Sequence, residues 1–113
     1  MTARVTSAVM VSALVRRVNQ EGGSAAILAK GDATAGAILL ITYEKGRNPR
    51  FFERGLGAGG SAALIPSGPE VLEDEAAVSA YWRRRRSRDS DLWVVELDIA
   101  GAERFAAETM GIN

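Results

Sequence analysis

An α+β fold is what the pattern of this chain predicts, on three observations. Apolar residues recur at helical spacing through residues 7–20. Short apolar runs bounded by Gly, Pro and Asn follow as far as residue 66. A second helical stretch near residues 74–87 then leads to a further strand near 92–98. The 113 residues suit one domain, 1–113. A chain of that length buries roughly two thirds of its unfolded surface, enough for a core without staples.

The first helix runs from about Ser7 to Gln20. Ala8, Val11, Leu14, Val15 and Val18 share one side of it. Thr6 or Ser7 can cap its start, and Arg16 and Arg17 lie near its end, where cations suit the helix dipole. Gly22 and Gly23 stop it, one of them left-handed. Strands are expected at Ala25–Lys30, Ala37–Glu44, Arg50–Arg54 and Ala62–Pro66. Their tight connections predict an antiparallel meander. Ala37–Glu44 is the most apolar and belongs in the middle of the sheet. The sequence GRNP at 46–49 reads as a turn, and GLGAGGS at 55–61 as a flexible loop. A second helix, Asp74–Ser87, precedes a strand at Leu92–Asp98 and a short last helix at Ala102–Met110. Each helix has one apolar side, so the helices are expected to cover one face of the sheet.

Composition narrows the chemistry. A hydrophobic fraction of 47% and a charged fraction of 25% belong to a globular chain, not a disordered one. The chain has neither histidine nor cysteine. This removes the Ser-His-Asp triad, the usual proton shuttle near neutral pH, thiol catalysis and Cys/His zinc sites. No catalytic residue, metal ligand set or cofactor motif is assigned. Net charge is zero, so nothing draws the whole molecule to nucleic acid or membrane. Residues 1–56 hold eight basic and four acidic side chains, a net +4, so the remainder holds −4. Ala8–Val15 is apolar apart from Ser12 but too short to span a bilayer, which takes about 20 residues. Arg16 and Arg17 close it in place of a small-residue cleavage site. A cytosolic location is the expectation, with no membrane partner.

Four features merit weighing as sites. The run YWRRRRSRDSD at 81–91 offers Arg83, Arg84, Arg86 and Arg88 as phosphate or nucleic-acid contacts, with Arg16 and Arg17 as further cations. On a helix, successive residues turn by about 100°, so these arginines form no single stripe. Arg85 falls on the buried side with Val78, Tyr81 and Trp82, within reach of Asp89. The simpler reading is a solvated helix C-terminus. Glu70, Glu73, Asp74 and Glu75 can bind a hard cation or act as paired carboxylates, but a capping cluster needs the same residues. KGDATAG at 30–36 lacks the GK[ST] ending of a phosphate loop. It reads as a turn between two strands, with Asp32 bonding back to the backbone and Gly31 and Gly36 at positive φ. Tyr81, Trp82 and Trp93 are aromatic enough to stack on bases, and apolar enough to pack in a core.

Three stretches, SALVRRVNQEGG, KGDATAG and YWRRRRSRDSDLWVVELD, together resemble the small alphaproteobacterial proteins grouped as domain of unknown function 1491. The resemblance spans about residues 4 to 100. It implies a bacterial cytoplasmic protein of one domain and carries no activity, cofactor or partner with it. With no His, no Cys and no cofactor motif, the expected role is a non-enzymatic interaction module that binds a protein partner or self-associates through an exposed sheet edge or an uncovered sheet face. A phosphate or nucleic-acid binder using the arginines is the alternative, and a carboxylate hydrolase the second alternative.

Overall fold

A computed structural model describes residues 5–112. In chain order it contains α1 (Ser7–Gln20), β1 (Ser24–Ala29), β2 (Ile38–Glu44), β3 (Arg47–Leu56), β4 (Ala62–Ser67), α2 (Glu75–Arg88), β5 (Trp93–Asp98) and α3 (Ala102–Thr109). Every element lies within a few residues of its expected place, and the fold is α+β.

The sheet order is β1-β5-β2-β3-β4. β2, β3 and β4 form the expected antiparallel meander. β1 does not join it, because β5 lies between β1 and β2, antiparallel to the first and parallel to the second. The sheet is therefore mixed. Burial explains the placement. β2 is buried along six consecutive residues and β5 along most of its length, as strands covered on both faces are. β1 is exposed along most of its length and takes the edge.

Alternation along the strands builds two cores. Ile38, Leu40, Phe52, Trp93, Val95 and Leu97 face α1 and α3, meeting Val11, Leu14, Val18 and Ala106. Leu39, Ile41, Tyr43, Phe51 and Val94 face the other way and meet Val78 of α2, with Tyr81 and Trp82 at the margin. The helices thus cover both faces. The single-face expectation fails because one apolar side per helix does not say which side of the sheet it meets. Leu39 and Ile41 are wholly buried, and side chains of that size each contribute about 1.5–3 kcal/mol.

Local signals mostly hold. Thr6 caps α1, its hydroxyl accepting from the Val9 N–H, and Gly22 follows the helix at φ 89°. The β2–β3 turn falls at Lys45–Gly46, both at positive φ, and not at 46–49. Residues 47–49 already belong to β3. The side chain of Asp98 fixes this turn: its two oxygens accept from the N–H groups of Lys45 and Gly46, both at 2.8 Å. The glycine-rich stretch is a closed hairpin end, with the Gly57 N–H donating to the Ser61 carbonyl at 2.8 Å.

Candidate functional site

The arginines of α2 divide by direction. Asp74 caps the helix by accepting from the Ala77 N–H at 2.9 Å. Val78 and Tyr81 then face the sheet, and Arg85, one turn on from Tyr81, follows them. Its guanidinium grips both oxygens of Glu53 on β3, at 2.6 and 2.9 Å, and also reaches the Tyr81 hydroxyl at 3.1 Å. Ser67 of β4 donates to the same Glu53 carboxylate. This replaces the expected Arg85–Asp89 pair. Asp89 instead accepts from the Asp91 N–H at 3.0 Å. Arg85 holds Glu53 below the usual carboxylate range, Ser67 adds to this, and burial works against them. The Glu53 hydrogen bonds likewise hold Arg85 above its ordinary value.

The other arginines have separate tasks. Arg86 donates to the carbonyls of Ser90 and, at 3.0 Å, Leu92. Arg83 lies over the Trp82 ring, 5.3 Å from its centroid. Arg84 and Arg88 are exposed. Among the described residues, none of Arg83, Arg84, Arg86 and Arg88 forms an ion pair. Arg16 and Arg17 are not brought to them, because α1 packs on the opposite face of the sheet. Arg17 pairs with Glu108 of α3 at 2.5 Å and stacks on Phe105.

The KGDATAG stretch does bond back on itself, as expected. Asp32 accepts from the N–H groups of Thr34 and Ala35 at 3.2 and 2.9 Å. Its larger task follows from strand order. It must cross the start of β5 to join β1 to β2. There the Asp32 N–H donates to the Asp91 carbonyl at 3.0 Å, and the Trp93 indole N–H donates to the Asp32 carbonyl at 2.7 Å. Gly31 and Gly36 are not at positive φ. They are glycine because of close approach: a Cβ would lie 2.0 Å and 2.2 Å from the Asp91 carbonyl oxygen. The stretch also receives α1, whose Ser7 and Ala8 N–H groups donate to the Thr34 and Ala33 carbonyls.

An acidic end lies at the opposite end of α2. Glu75 accepts from the Tyr43 hydroxyl at 3.0 and 3.2 Å. Glu96 and Asp98 point to the same face of the sheet, two residues apart on β5. Burial, with the charges of Glu75 and Asp98 nearby, pushes the Glu96 carboxyl upward. Burial also raises the Tyr43 hydroxyl, helped by Glu75. Sequence reading missed Glu96 and Asp98, although their two-residue spacing on a strand puts them on one face. Among the described residues, no group of three or more acidic side chains has a metal-holding arrangement.

Two open clefts flank the sheet ends. One, of about 670 Å³, lies between the start of α1 and β3, with Val5, Met10, Ile38, Met110 and Arg54 on its walls. The other, of about 790 Å³, lies by Gly22, Lys45 and Arg47.

The two sheet edges differ. β4 carries an exposed Pro66. β1, SAAILA, has neither proline nor charge, and Ile27 and Leu28 are 41% and 37% exposed. A register shift between Ile27 and Ala29 ends its regular pairing. No described helix is long and apolar enough to cross a membrane.

A family described as protein of unknown function (DUF1491) matches residues 5–107. A crystal structure of a family member from Caulobacter crescentus CB15 is 28% identical, with a TM-score of 0.76, covering 90% of this chain and 94% of that one. A solution structure of a family member from the same organism is also 28% identical, with a TM-score of 0.73 and coverages of 92% and 94%. A solution structure of a protein from A. tumefaciens is 30% identical, with a TM-score of 0.68 and coverages of 86% and 87%. No curated protein matches the chain.

Proposed function

We propose, for a chain that belongs to the DUF1491 family of proteins of unknown function, the role of a cytosolic, non-enzymatic interaction module that pairs with a second copy of itself along β1. The β1 edge carries this reading. An unpaired strand edge presents free N–H and C=O groups to any other strand, and proteins block such edges with charge, proline or cover. β4 has its proline, whereas Ser24–Ile27 has none of these devices. The lack of His and Cys supports a role without histidine proton shuttling or thiol chemistry.

Sedimentation velocity over a range of concentrations tests it. The expected result is a dimer that dissociates on dilution, and an Ile27→Lys variant that stays monomeric with an unchanged circular dichroism spectrum. A monomeric wild type, or an Ile27→Lys variant that still dimerises, overturns the proposal.

One observation favours a second reading. Arg83, Arg84 and Arg88 are exposed and without ion pairs among the described residues, beside the half-buried Trp82. That combination of cations and an aromatic ring suits a phosphate backbone. Anisotropy with labelled oligonucleotides is then expected to show binding that falls steeply with salt and is lost in a triple Arg83, Arg84 and Arg88→Ala variant. No binding at low salt would exclude it.

A further inference from the structure

β3 sends two arginines to the side of the sheet that α1 and α3 cover. Glu53 meets Arg85 of α2 on the other side, so Phe52 and Arg54 on either side of it point toward α1 and α3. Arg50 points the same way. Its guanidinium lies over the Phe52 ring and donates to Glu103 of α3 at 3.1 Å. Arg54 has no such acid: among the described residues it forms no ion pair. The strands beside it offer only apolar side chains on this face. Arg54 pairs with Leu64 of β4. The β2–β3 register, Leu39 against Glu53, sets Ile38 on its other flank, and Ile38 pairs with Trp93. One cation therefore stands in a row with Trp93, Ile38 and Leu64, all members of the core or packed against it.

The cleft of about 670 Å³ opens over this row. α1 begins on one side of it and α3 ends on the other, which brings Val5, Met10 and Met110 to its walls. Small-molecule sites usually fall between roughly 300 and 1,000 Å³, with apolar walls and a few placed polar groups. The two methionines add walls that adapt to the shape of a chain. Glu53 also borders the cleft, but its carboxylate is turned away to Arg85.

We propose that this cleft binds a monocarboxylic acid with an apolar chain, the chain lying along Val5, Met10, Ile38 and Met110 and the carboxylate on the Arg54 guanidinium. The choice of head group follows from the shortage of donors. The N–H groups that open α1 are already engaged: Ser7 and Ala8 donate to the Thr34 and Ala33 carbonyls, and Val9 donates to the Thr6 hydroxyl. Arg54 is then the charged donor at the cleft, and the parallel N–H groups of one guanidinium match the two oxygens of a carboxylate. A phosphate head, with its higher charge and three acceptor oxygens, asks for more donors than one arginine supplies.

Calorimetric titration of the full chain with octanoate and with octan-1-ol tests this, since the two share a chain and differ in charge. Octanoate is expected to bind saturably, one molecule per chain. Arg54→Gln is expected to weaken it at least about tenfold, the effect of losing a hydrogen bond between charged groups. Octan-1-ol should bind wild type and variant alike, and wild type more weakly than octanoate does. In amide NMR spectra of the wild type, octanoate should shift Thr34, Ala35, Ile38 and Met110. Absence of saturable octanoate binding overturns the proposal. So does equal octanoate binding by wild type and Arg54→Gln, or a set of shifted amides lying away from the cleft. Circular dichroism checks the fold of the variant. Should it not fold, the wild type decides alone: octan-1-ol binding as tightly as octanoate overturns the carboxylate contact and the proposal with it.

Discussion

Arg85 is the one member of its run that turns inward, and the reason is angular. Four residues after Tyr81, it shares Tyr81's side of α2 and reaches the sheet with it. That direction was legible in the sequence, since helix geometry is local. Its partner was not. Glu53 is 32 positions away, and only the packing of α2 on the β3 side brings the two together. The pair is about three-quarters shielded on the Glu53 side, and hydrogen bonds to charged groups in such settings are worth about 1.5–3 kcal/mol. Glu53→Gln is expected to cost that much in urea unfolding at neutral pH. The acid limb carries a second signature. The folded Glu53 carboxyl lies below its ordinary value, so its contribution is complete above the ordinary value and disappears as pH falls through the folded one. The variant should lose that part of its acid sensitivity. Glu96 works in the opposite sense. Its raised value means the folded state holds a proton more tightly, so stability falls as pH rises past the ordinary carboxylate range.

Elements were legible wherever their signals were local. The Thr6 cap, Gly22 and the apolar stripe defined α1; the Asp74 cap and the arginine-rich end defined α2. Boundaries slipped where two local signals competed. Pro49 and Asn48 look like a turn, yet the turn falls earlier, at Lys45–Gly46, where Asp98 offers two acceptors. A two-residue hairpin with both residues at positive φ favours Asn-Gly, and Lys45 sits there at φ 51°. Lys45→Asn is therefore expected to raise stability by up to about 1 kcal/mol, read as a higher urea midpoint with an unchanged slope. Strand neighbours were not legible. β2 and β5 are both apolar on two faces, and nothing within either names the other. KGDATAG shows the same limit. Its Asx turn is visible in seven residues, but the reason for its two glycines is a carbonyl of Asp91, some 60 positions on.

At the scale of the molecule, pairing along β1 and phosphate contact at the end of α2 engage different parts of the surface. The two assays above are therefore independent of one another. The sheet itself imposes a further condition. β1 has one neighbour, and that neighbour is β5. A chain cut after Arg88 is expected to lack stable structure, by circular dichroism and by protease sensitivity, because it would leave both central cores open.

The late position of β5 has a consequence for synthesis. As the chain leaves the ribosome, β1 and β2 emerge, joined by KGDATAG, without the strand that lies between them. Neither edge of that gap can pair until Trp93–Asp98 appears, because β5 is the neighbour of both. Such distant pairing is slow, and slow pairing leaves strand edges open to other chains. The glycines of the bridge let the Asp91 backbone pass closely by it. The sheet is thus closed by a strand made some sixty residues after the segment that spans it.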